Sequence, residues 1–228
     1  AEVPTPDDTI KAATALSNLI IKTPMLESPT LNNLIGGRLL LKAECLQITG
    51  SFKIRGAYNK LLSLSLKERA NGVVAFSSGN HAQGVAHAAK TLNINSTVIM
   101  PSDAPKVKLK NAQSYGAKVV TYNRDRENRE SIGFQISQEQ CAPLVKPFDD
   151  PMVIAGQGTV GIEIAQFCSE NNISPDAVLV PVGGGGLIAG VGLGLSISGD
   201  DIPLIGVEPS AFNDTQRSML SGQRENNS

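Results

Sequence analysis

The sequence lacks an excess of charge of either sign and has no long hydrophobic run. Its 228 residues carry 20 lysines and arginines against 21 aspartates and glutamates, a formal net charge of −1. A chain this close to neutrality has no general attraction to nucleic acid or to an anionic membrane, and we expect neither as a partner. The apolar stretch near residue 190 is interrupted by Gly190, Gly192 and Gly194 and is too short to span a membrane. The first four residues lack the basic and apolar regions of a signal peptide, so we expect a cytoplasmic protein.

Cysteine and histidine are also scarce, which limits the kinds of metal and redox site available. Cys45, Cys141 and Cys168 are odd in number and widely spaced, so they form neither a disulfide framework nor paired zinc ligands. We interpret them as reduced packing residues. His81 and His87 are the only histidines and stand six residues apart rather than four, which argues against a helical two-histidine metal site.

Short apolar runs alternate with amphipathic segments along most of the chain. Residues 73–76 and 97–100 have the composition of strands, and residues 81–92 repeat alanine and valine at helical spacing. Residues 177–182 and 203–207 are predicted as two further buried strands. This alternation predicts an α/β fold in which parallel sheets are covered by helices on both faces.

Two distant segments together indicate a cofactor. Residues 50–57 read Gly-Ser-Phe-Lys-Ile-Arg-Gly-Ala and place Lys53 in an apolar setting, just before a helix predicted to begin at Gly56. A desolvated amine forms a Schiff base with an aldehyde. Residues 183–186 are four glycines between two apolar segments, which predicts a strand, a phosphate-binding loop and a helix. A lone lysine is usually solvated and a glycine run is usually a flexible turn, but the apolar segments on both sides of these glycines favour the strand, loop and helix. An aldehyde and a phosphate on one molecule describe pyridoxal phosphate (PLP).

A third segment, Ser-Ser-Gly-Asn-His at residues 77–81, follows a predicted strand and opens a predicted helix. Ligands of open α/β sheets bind at the carboxyl ends of strands, and free amides at a helix start hold anions or carboxylates. The alternative is a plain helix cap by Ser78 or Asn80, and both interpretations can hold together.

Two other patterns have competing explanations. Residues 156–161 read Gly-Gln-Gly-Thr-Val-Gly and match the dinucleotide fingerprint, with Asp176 twenty residues beyond, which favours a nicotinamide-dependent dehydrogenase. No good strand precedes them, so a helix packed closely on a neighbour is the simpler alternative. Glu208 and Asp214 on a turn can share a hard cation, although the sequence alone favours a capped helix start with solvated acids.

These segments occur in a fixed order together with Ala-Gly-Gln-Gly-Thr, Pro-Val-Gly-Gly-Gly-Gly-Leu and Gly-Val-Glu-Pro. The set resembles the serine racemase and threonine/serine dehydratase family, which are PLP enzymes of fold type II, from about residue 8 to about residue 222. The resemblance implies that Lys53 carries PLP and is the base at the substrate α-carbon. It implies that Ser78 is a second acid/base on the opposite ring face, that Asn80 bonds the phenolic oxygen of the cofactor, and that Phe148 lines the ring pocket.

The remaining site residues also follow from the resemblance. The phosphate would be cradled by the backbone amides of Gly183, Gly184, Gly185, Gly186 and Leu187. The carboxylate of an amino-acid substrate would be received by Ser77, Ser78, Gly79, Asn80 and His81. A divalent cation, Mg²⁺, Ca²⁺ or Mn²⁺, would be held by Glu208, Asp214 and the carbonyl of Phe212. A nucleotide effector would bind near Ser28, Thr30, Thr49, Gln83 and Tyr115, and the protein would be a homodimer.

The resemblance also implies a domain division and an activity. Residues 1–70 plus 150–228 would form a large PLP-binding domain, and residues 71–149 a small mobile domain. Family members continue past residue 228 and there supply a polar side chain to the pyridine nitrogen, so we expect a fragment or a truncated homologue with an incomplete large domain. The expected activity is ammonia loss from L-threonine or L-serine. The alternatives are serine racemase or 3-hydroxyaspartate dehydratase, a nicotinamide-dependent dehydrogenase, or a non-catalytic truncated homologue.

Overall fold

The computed structural model describes residues 3–199 and 201–227. The outer ends of the predicted large domain, residues 1 and 228, lie outside this part. The described strands are β1 (Met25–Glu27), β2 (Leu40–Lys42), β3 (Val73–Phe76), β4 (Ser96–Pro101), β5 (Lys118–Tyr122), β6 (Leu144–Val145), β7 (Val178–Pro181) and β8 (Leu204–Val207). The described α-helices are α1 (Pro6–Leu16), α2 (Pro29–Ile35), α3 (Lys53–Ser63), α4 (Leu66–Ala70), α5 (Asn80–Thr91), α6 (Lys106–Ser114), α7 (Arg129–Gln140), α8 (Pro151–Glu170), α9 (Gly186–Ser196) and α10 (Asp214–Ser221). In the same part of the chain, no helix is both long and apolar enough to cross a bilayer.

A four-stranded parallel sheet with the order β5-β4-β3-β6 forms one centre of the fold. Alternate residues of β3 point to opposite faces, as strand geometry requires. Val73 and Ala75 belong to the core cluster that includes α5, whereas Val74 and Phe76 belong to the cluster that includes α7. The prediction of a parallel α/β fold with helices on both faces is therefore confirmed for this sheet.

The second parallel pair, β7 with β8, is covered on one face only. Val178, Val180 and Leu204 pack in one cluster with residues of α8 and α9. The opposite face stays open, because Leu179 is 64% exposed and its partner Ile205 is 48% exposed. The prediction that these two strands are buried is wrong for most of their residues, because only Val180 is buried while Val178 and Leu204 are partly buried. Apolar composition does not say whether a second layer covers the sheet.

The glycines of residues 156–161 lie inside α8 and pack it against its neighbours. A Cβ on Gly158 would lie 2.5 Å from Thr9 Cγ2 and 2.9 Å from the carbonyl oxygen of Gly190, and a Cβ on Gly161 would overlap the carbonyl oxygen of Val191. A dinucleotide loop must follow a strand and open a helix, whereas these glycines lie mid-helix. The dehydrogenase prediction is therefore wrong at this segment, and the close-packing interpretation is correct.

Replacing Gly161 with alanine is expected to lower the free energy of unfolding by about 1–3 kcal/mol, the usual cost of overpacking. The matched control is Gly192→Ala in α9, where the new Cβ would lie 3.2 Å from the terminal methyl Cδ2 of the Leu204 side chain. Alanine is favoured over glycine in a helix by up to about 1 kcal/mol, so the control is expected to be neutral or stabilised. Urea unfolding of both variants measures the difference, and equal midpoints would contradict this account of the α8–α9 contact.

Three local expectations need correction. Helix α3 begins at Lys53 rather than at Gly56. Cys45 and Cys141 are exposed, so the packing interpretation holds for Cys168 alone. Cys141 ends α7 in the left-handed conformation, with φ of 49°, which turns the chain at the surface and leaves its side chain outside the core.

Candidate active site

Lys53 is the first residue of α3, and its helix is anchored by fully buried neighbours. Ile54, Ala57 and Leu61 lie in the main core cluster, so the backbone that carries the lysine is fixed. The half-buried side chain donates a hydrogen bond from Nζ to the carbonyl oxygen of Pro147, at 2.7 Å. Burial lowers the pKa of Lys53 to about 8, because little water remains to solvate the ammonium form.

Pro147 connects this amine to the glycine loop. The next residue, Phe148, packs its ring directly over Gly184, and a Cβ on Gly184 would overlap that ring. Phe148 and residues 183–186 line the same cleft, whose volume is about 870 Å³. The structure therefore brings Phe148 and the glycine loop together, with Lys53 at the carbonyl adjoining Phe148.

The glycine loop follows β7 and leads into α9, which begins at Gly186. Gly185 has φ of 81°, a left-handed conformation that glycine adopts without strain, and no side chain caps α9. The first amides of a helix have no partner within the helix, and with the helix dipole they favour an anion such as a phosphate.

The Ser-Ser-Gly-Asn-His segment forms the turn from β3 into α5. Ser78 and Asn80 are exposed there, and the Ser77 hydroxyl accepts a hydrogen bond from the Gly79 amide at 3.0 Å. Gly79 is the N-cap, and α5 has no side-chain cap, so the prediction of a plain cap by Ser78 or Asn80 is wrong. The unpartnered amides at the start of α5 suit a carboxylate.

His81 is buried in this turn and faces the end of β6. Its Nε2 lies 3.0 Å from the carbonyl oxygen of Val145, and its pKa falls to about 4, chiefly because burial penalises the imidazolium. The ring is thus neutral at physiological pH and donates from Nε2. Its Nδ1 has no partner in the described part of the chain. A contact from His81 to a substrate carboxylate would therefore come from the backbone amide.

The predicted cation ligands are arranged as a helix start. Both carboxylate oxygens of Glu208 accept backbone hydrogen bonds from the start of α10, from Thr215 at 3.1 Å and Gln216 at 2.9 Å. Burial opposes ionisation of Glu208, but these hydrogen bonds outweigh it and hold its pKa below the usual value. Across residues 3–199 and 201–227, no three acidic, histidine or cysteine side chains are grouped as metal ligands. In the structure Glu208 therefore has the hydrogen bonds that the capped-helix interpretation describes.

The residues assigned to a nucleotide effector have structural contacts of their own. Ser28 caps α2, Thr49 has a positive φ of 64°, and Gln83 accepts a hydrogen bond from Asn111. Tyr115 packs edge-on against His87, with ring centroids 5.0 Å apart.

Sequence reasoning missed two features around the site. Lys108 of α6 reaches the start of α5 and donates a hydrogen bond to Asn80 Oδ1 at 3.0 Å. Arg55, two residues after Lys53, is fully buried and paired with both Glu44 and Glu163. The contacts of Lys108 and Arg55 join different segments of the chain, so no local sequence pattern predicts them.

The lowered pKa of Lys53 predicts how its reactivity changes with pH. Only the neutral amine attacks an aldehyde, so the rate of PLP attachment is expected to rise with pH through a midpoint near 8. An ordinary exposed lysine titrates near 10.4. Because the folded pKa lies below the unfolded one, Lys53 also makes the fold more stable as pH rises between these two values. Stopped-flow absorbance measures the rate, with Lys53→Ala as the background, and a midpoint near 10.4 would contradict desolvation as the cause.

The chain matches a known protein family along most of its length. The sequence profile of the family "Pyridoxal-phosphate dependent enzyme" matches residues 16–228. The L-threo-3-hydroxyaspartate ammonia-lyase of Saccharomyces cerevisiae is 44% identical over 220 residues, which are 96% of this chain and 66% of that protein. The chain thus spans about two thirds of the length of this relative.

Two solved structures are similar along nearly the whole chain. The threonine deaminase of T.th. has a TM-score of 0.91 and 44% identity, covering 97% of this chain and 70% of that one. The serine racemase of Dictyostelium discoideum has a TM-score of 0.89 and 40% identity, covering 96% of this chain and 70% of that one.

Proposed function

Because this chain belongs to the pyridoxal-phosphate dependent enzyme family and has the α/β architecture of its fold type II members, we propose that it removes ammonia from L-threonine or L-serine with PLP held at Lys53. The observation that carries the proposal is the placement of Lys53. Its amine has a pKa of about 8 and bonds the carbonyl that precedes Phe148, whose ring packs on the glycine loop.

The lining of the cleft, together with Lys53 beside it, fits the three parts of PLP. Lys53 suits the aldehyde, the amides of residues 183–187 suit the phosphate, and the Phe148 ring offers an apolar face to the pyridine ring. Asn80 would donate from its amide to the phenolic oxygen. When bound, PLP supplies an electron sink conjugated to the α-carbon of the substrate.

The chain's own residues then hold the substrate and move its protons. The Ser77–His81 turn would receive the substrate carboxylate through the hydroxyls of Ser77 and Ser78 and the free amides of α5. The amine of Lys53, once released, takes the α-proton, and a pKa near 8 keeps part of it neutral at physiological pH. The β-hydroxyl leaves as water, and hydrolysis of the product gives a 2-oxo acid and ammonia.

Two alternatives within the family are supported by particular observations. The first relative described above acts on L-threo-3-hydroxyaspartate, which also carries a β-hydroxyl. The exposed Ser78 makes no hydrogen bond through its hydroxyl to any described residue, so it is available to return a proton to the opposite face, as serine racemisation requires.

The test begins with the absorption spectrum of the chain after addition of PLP, followed by borohydride reduction and peptide mapping. Covalent attachment at Lys53 is expected. Release of ammonia and 2-oxo acid is then measured with L-threonine, L-serine and L-threo-3-hydroxyaspartate, and D-serine formation is measured by chiral chromatography. Attachment of PLP without any turnover would overturn the proposed activity, and attachment at another lysine would overturn the site.

Further expectations stay proposals. We propose a homodimer, a nucleotide effector and a cytoplasmic location. We also propose a division into residues 1–70 plus 150–228 and residues 71–149, and in its support the four-stranded sheet lies inside the second unit.

A divalent cation at Glu208 and Asp214 would have to bind beside two helix amides. Thermal melting with Mg²⁺, Ca²⁺ and Mn²⁺ tests this site, and an equal shift in wild type and Asp214→Asn would exclude it.

A further inference from the structure

Asn80 is held by a residue to which no role has been assigned. Lys108 donates from Nζ to Asn80 Oδ1 at 3.0 Å, and it has no carboxylate within ion-pair distance in the described part of the chain. Its stem lies against Gly79, where an added Cβ would be 2.5 Å from Lys108 Cδ. The turn thus accommodates the lysine because residue 79 has no side chain.

The contact is one rung of a polar ladder between α5 and α6. Three residues further along each helix, Asn111 donates from Nδ2 to Gln83 Oε1 at 2.9 Å. Near the carboxyl ends of the two helices, Lys90 of α5 donates to the carbonyl oxygen of Ser114 of α6 at 3.3 Å. Residues three apart lie on the same face of a helix, so the ladder fixes the register of α6 and holds Lys108 over Asn80.

The chemistry of the pair determines which way the Asn80 amide faces. An ammonium group has three donors and no acceptor, so it bonds only the oxygen of an amide. Oδ1 of Asn80 therefore faces Lys108, and Nδ2 of the exposed Asn80 has no acceptor among the described residues. The positive charge on Lys108 also polarises the amide, which strengthens Nδ2–H as a donor.

We infer that Lys108 is a positioning residue that locks the amide of Asn80 so that the site presents a hydrogen-bond donor to the phenolic oxygen of PLP. The inference rests on the proposed function, which gives Asn80 that partner. Without Lys108 the amide rotates and also presents Oδ1, an acceptor that repels a phenolate. The expected loss is that of one hydrogen bond, a rise in the PLP dissociation constant of roughly 3- to 10-fold.

A double-mutant cycle separates this role from a structural one. Absorbance titration of PLP is compared in wild type, Lys108→Met, Asn80→Ala and the double variant. If Lys108 acts through Asn80, the double variant equals Asn80→Ala. Lys108→Arg, which keeps the donors, is expected to retain most of the affinity. Lys110→Met, an exposed lysine on the same helix, is the control for loss of charge. Additive effects, or an equal loss in Lys110→Met, would overturn the inference.

A second measurement does not need the cofactor. The side-chain amide of Asn80 is followed by nuclear magnetic resonance in the PLP-free chain and is assigned by its loss in Asn80→Ala. Its two proton signals are expected to move in Lys108→Met and to stay in Lys110→Met. If wild type binds no PLP, the proposed function fails, and these signals still decide whether Lys108 locks the amide of Asn80. Unmoved signals in Lys108→Met overturn it.

Discussion

Replacing Lys53 with alanine is expected to abolish covalent attachment of PLP and to reduce ammonia release by at least about 10³-fold. The variant loses both the amine that binds the aldehyde and the base at the α-carbon, and a positioned base alone contributes about 10²- to 10⁴-fold. No other described lysine bonds the carbonyl oxygen of Pro147 beside Phe148. Borohydride trapping and the 2-oxo acid assay measure the two losses separately.

The control for this prediction is Lys60→Ala, on the same helix. The Lys60 side chain pairs with Asp150, at 2.7 Å, and not with the carbonyl oxygen of Pro147. It is expected to keep covalent attachment. A Lys53→Ala variant that still forms a reducible covalent adduct would show that another amine carries the cofactor. Unfolding should not explain the loss, because removing a half-buried ammonium relieves a desolvation cost.

Replacing Arg55 with methionine is expected to destabilise the fold by about 3–5 kcal/mol, the usual effect of removing one partner from a buried charge network. The guanidinium is fully buried and donates to Glu44 at 2.7 and 2.8 Å and to Glu163 at 2.6 and 2.9 Å. Lys42 bonds the same Glu163 at 2.6 Å, so two cations and two carboxylates share one site. Methionine fills the volume but leaves both carboxylates with a single cation. Urea unfolding monitored by circular dichroism measures the loss.

The matched control is Arg38→Met, which removes an exposed ion pair with Glu27 of similar length, 2.9 Å. This variant is expected to unfold at nearly the same urea concentration as wild type, because water and salt screen exposed pairs. A loss of less than 1 kcal/mol in Arg55→Met would mean that the chain relaxes to admit water around Glu44 and Glu163. The network would then add little to the apolar packing that holds the helix that carries Lys53.

Local signals in the sequence are sufficient to predict the boundaries of several helices and strands. At the start of α1, Thr5 and Asp8 form a capping box and a proline takes the first helical position. Asp150 caps α8, whose first residue is also a proline. Strand β3 is predicted because Val73, Val74 and Phe76 belong to a short apolar run that precedes a glycine turn. In each case the residues that decide the boundary are neighbours in sequence.

The start of α3 is an element boundary that no local signal in the sequence predicts. Its N-cap is Phe52, which makes no side-chain capping bond, so nothing local places the first turn at Lys53. Gly84 of α5 fixes that turn instead, because a Cβ there would lie 3.2 Å from the backbone nitrogen of Ile54. The hydrogen bond from Lys108 to Asn80 likewise depends on how α6 packs on α5. These features follow from tertiary packing, which spacing in a single sequence does not encode.

The open face of β7 and β8 is a surface through which molecules of this chain can associate in concentrated solution. Leu179, Ile205 and Val207 form a flat apolar strip on strands that pair only with each other in the described part of the chain. A net charge of −1 gives molecules little mutual repulsion to keep such strips apart. A charged side chain at position 179 would interrupt this strip and is therefore expected to weaken association through it.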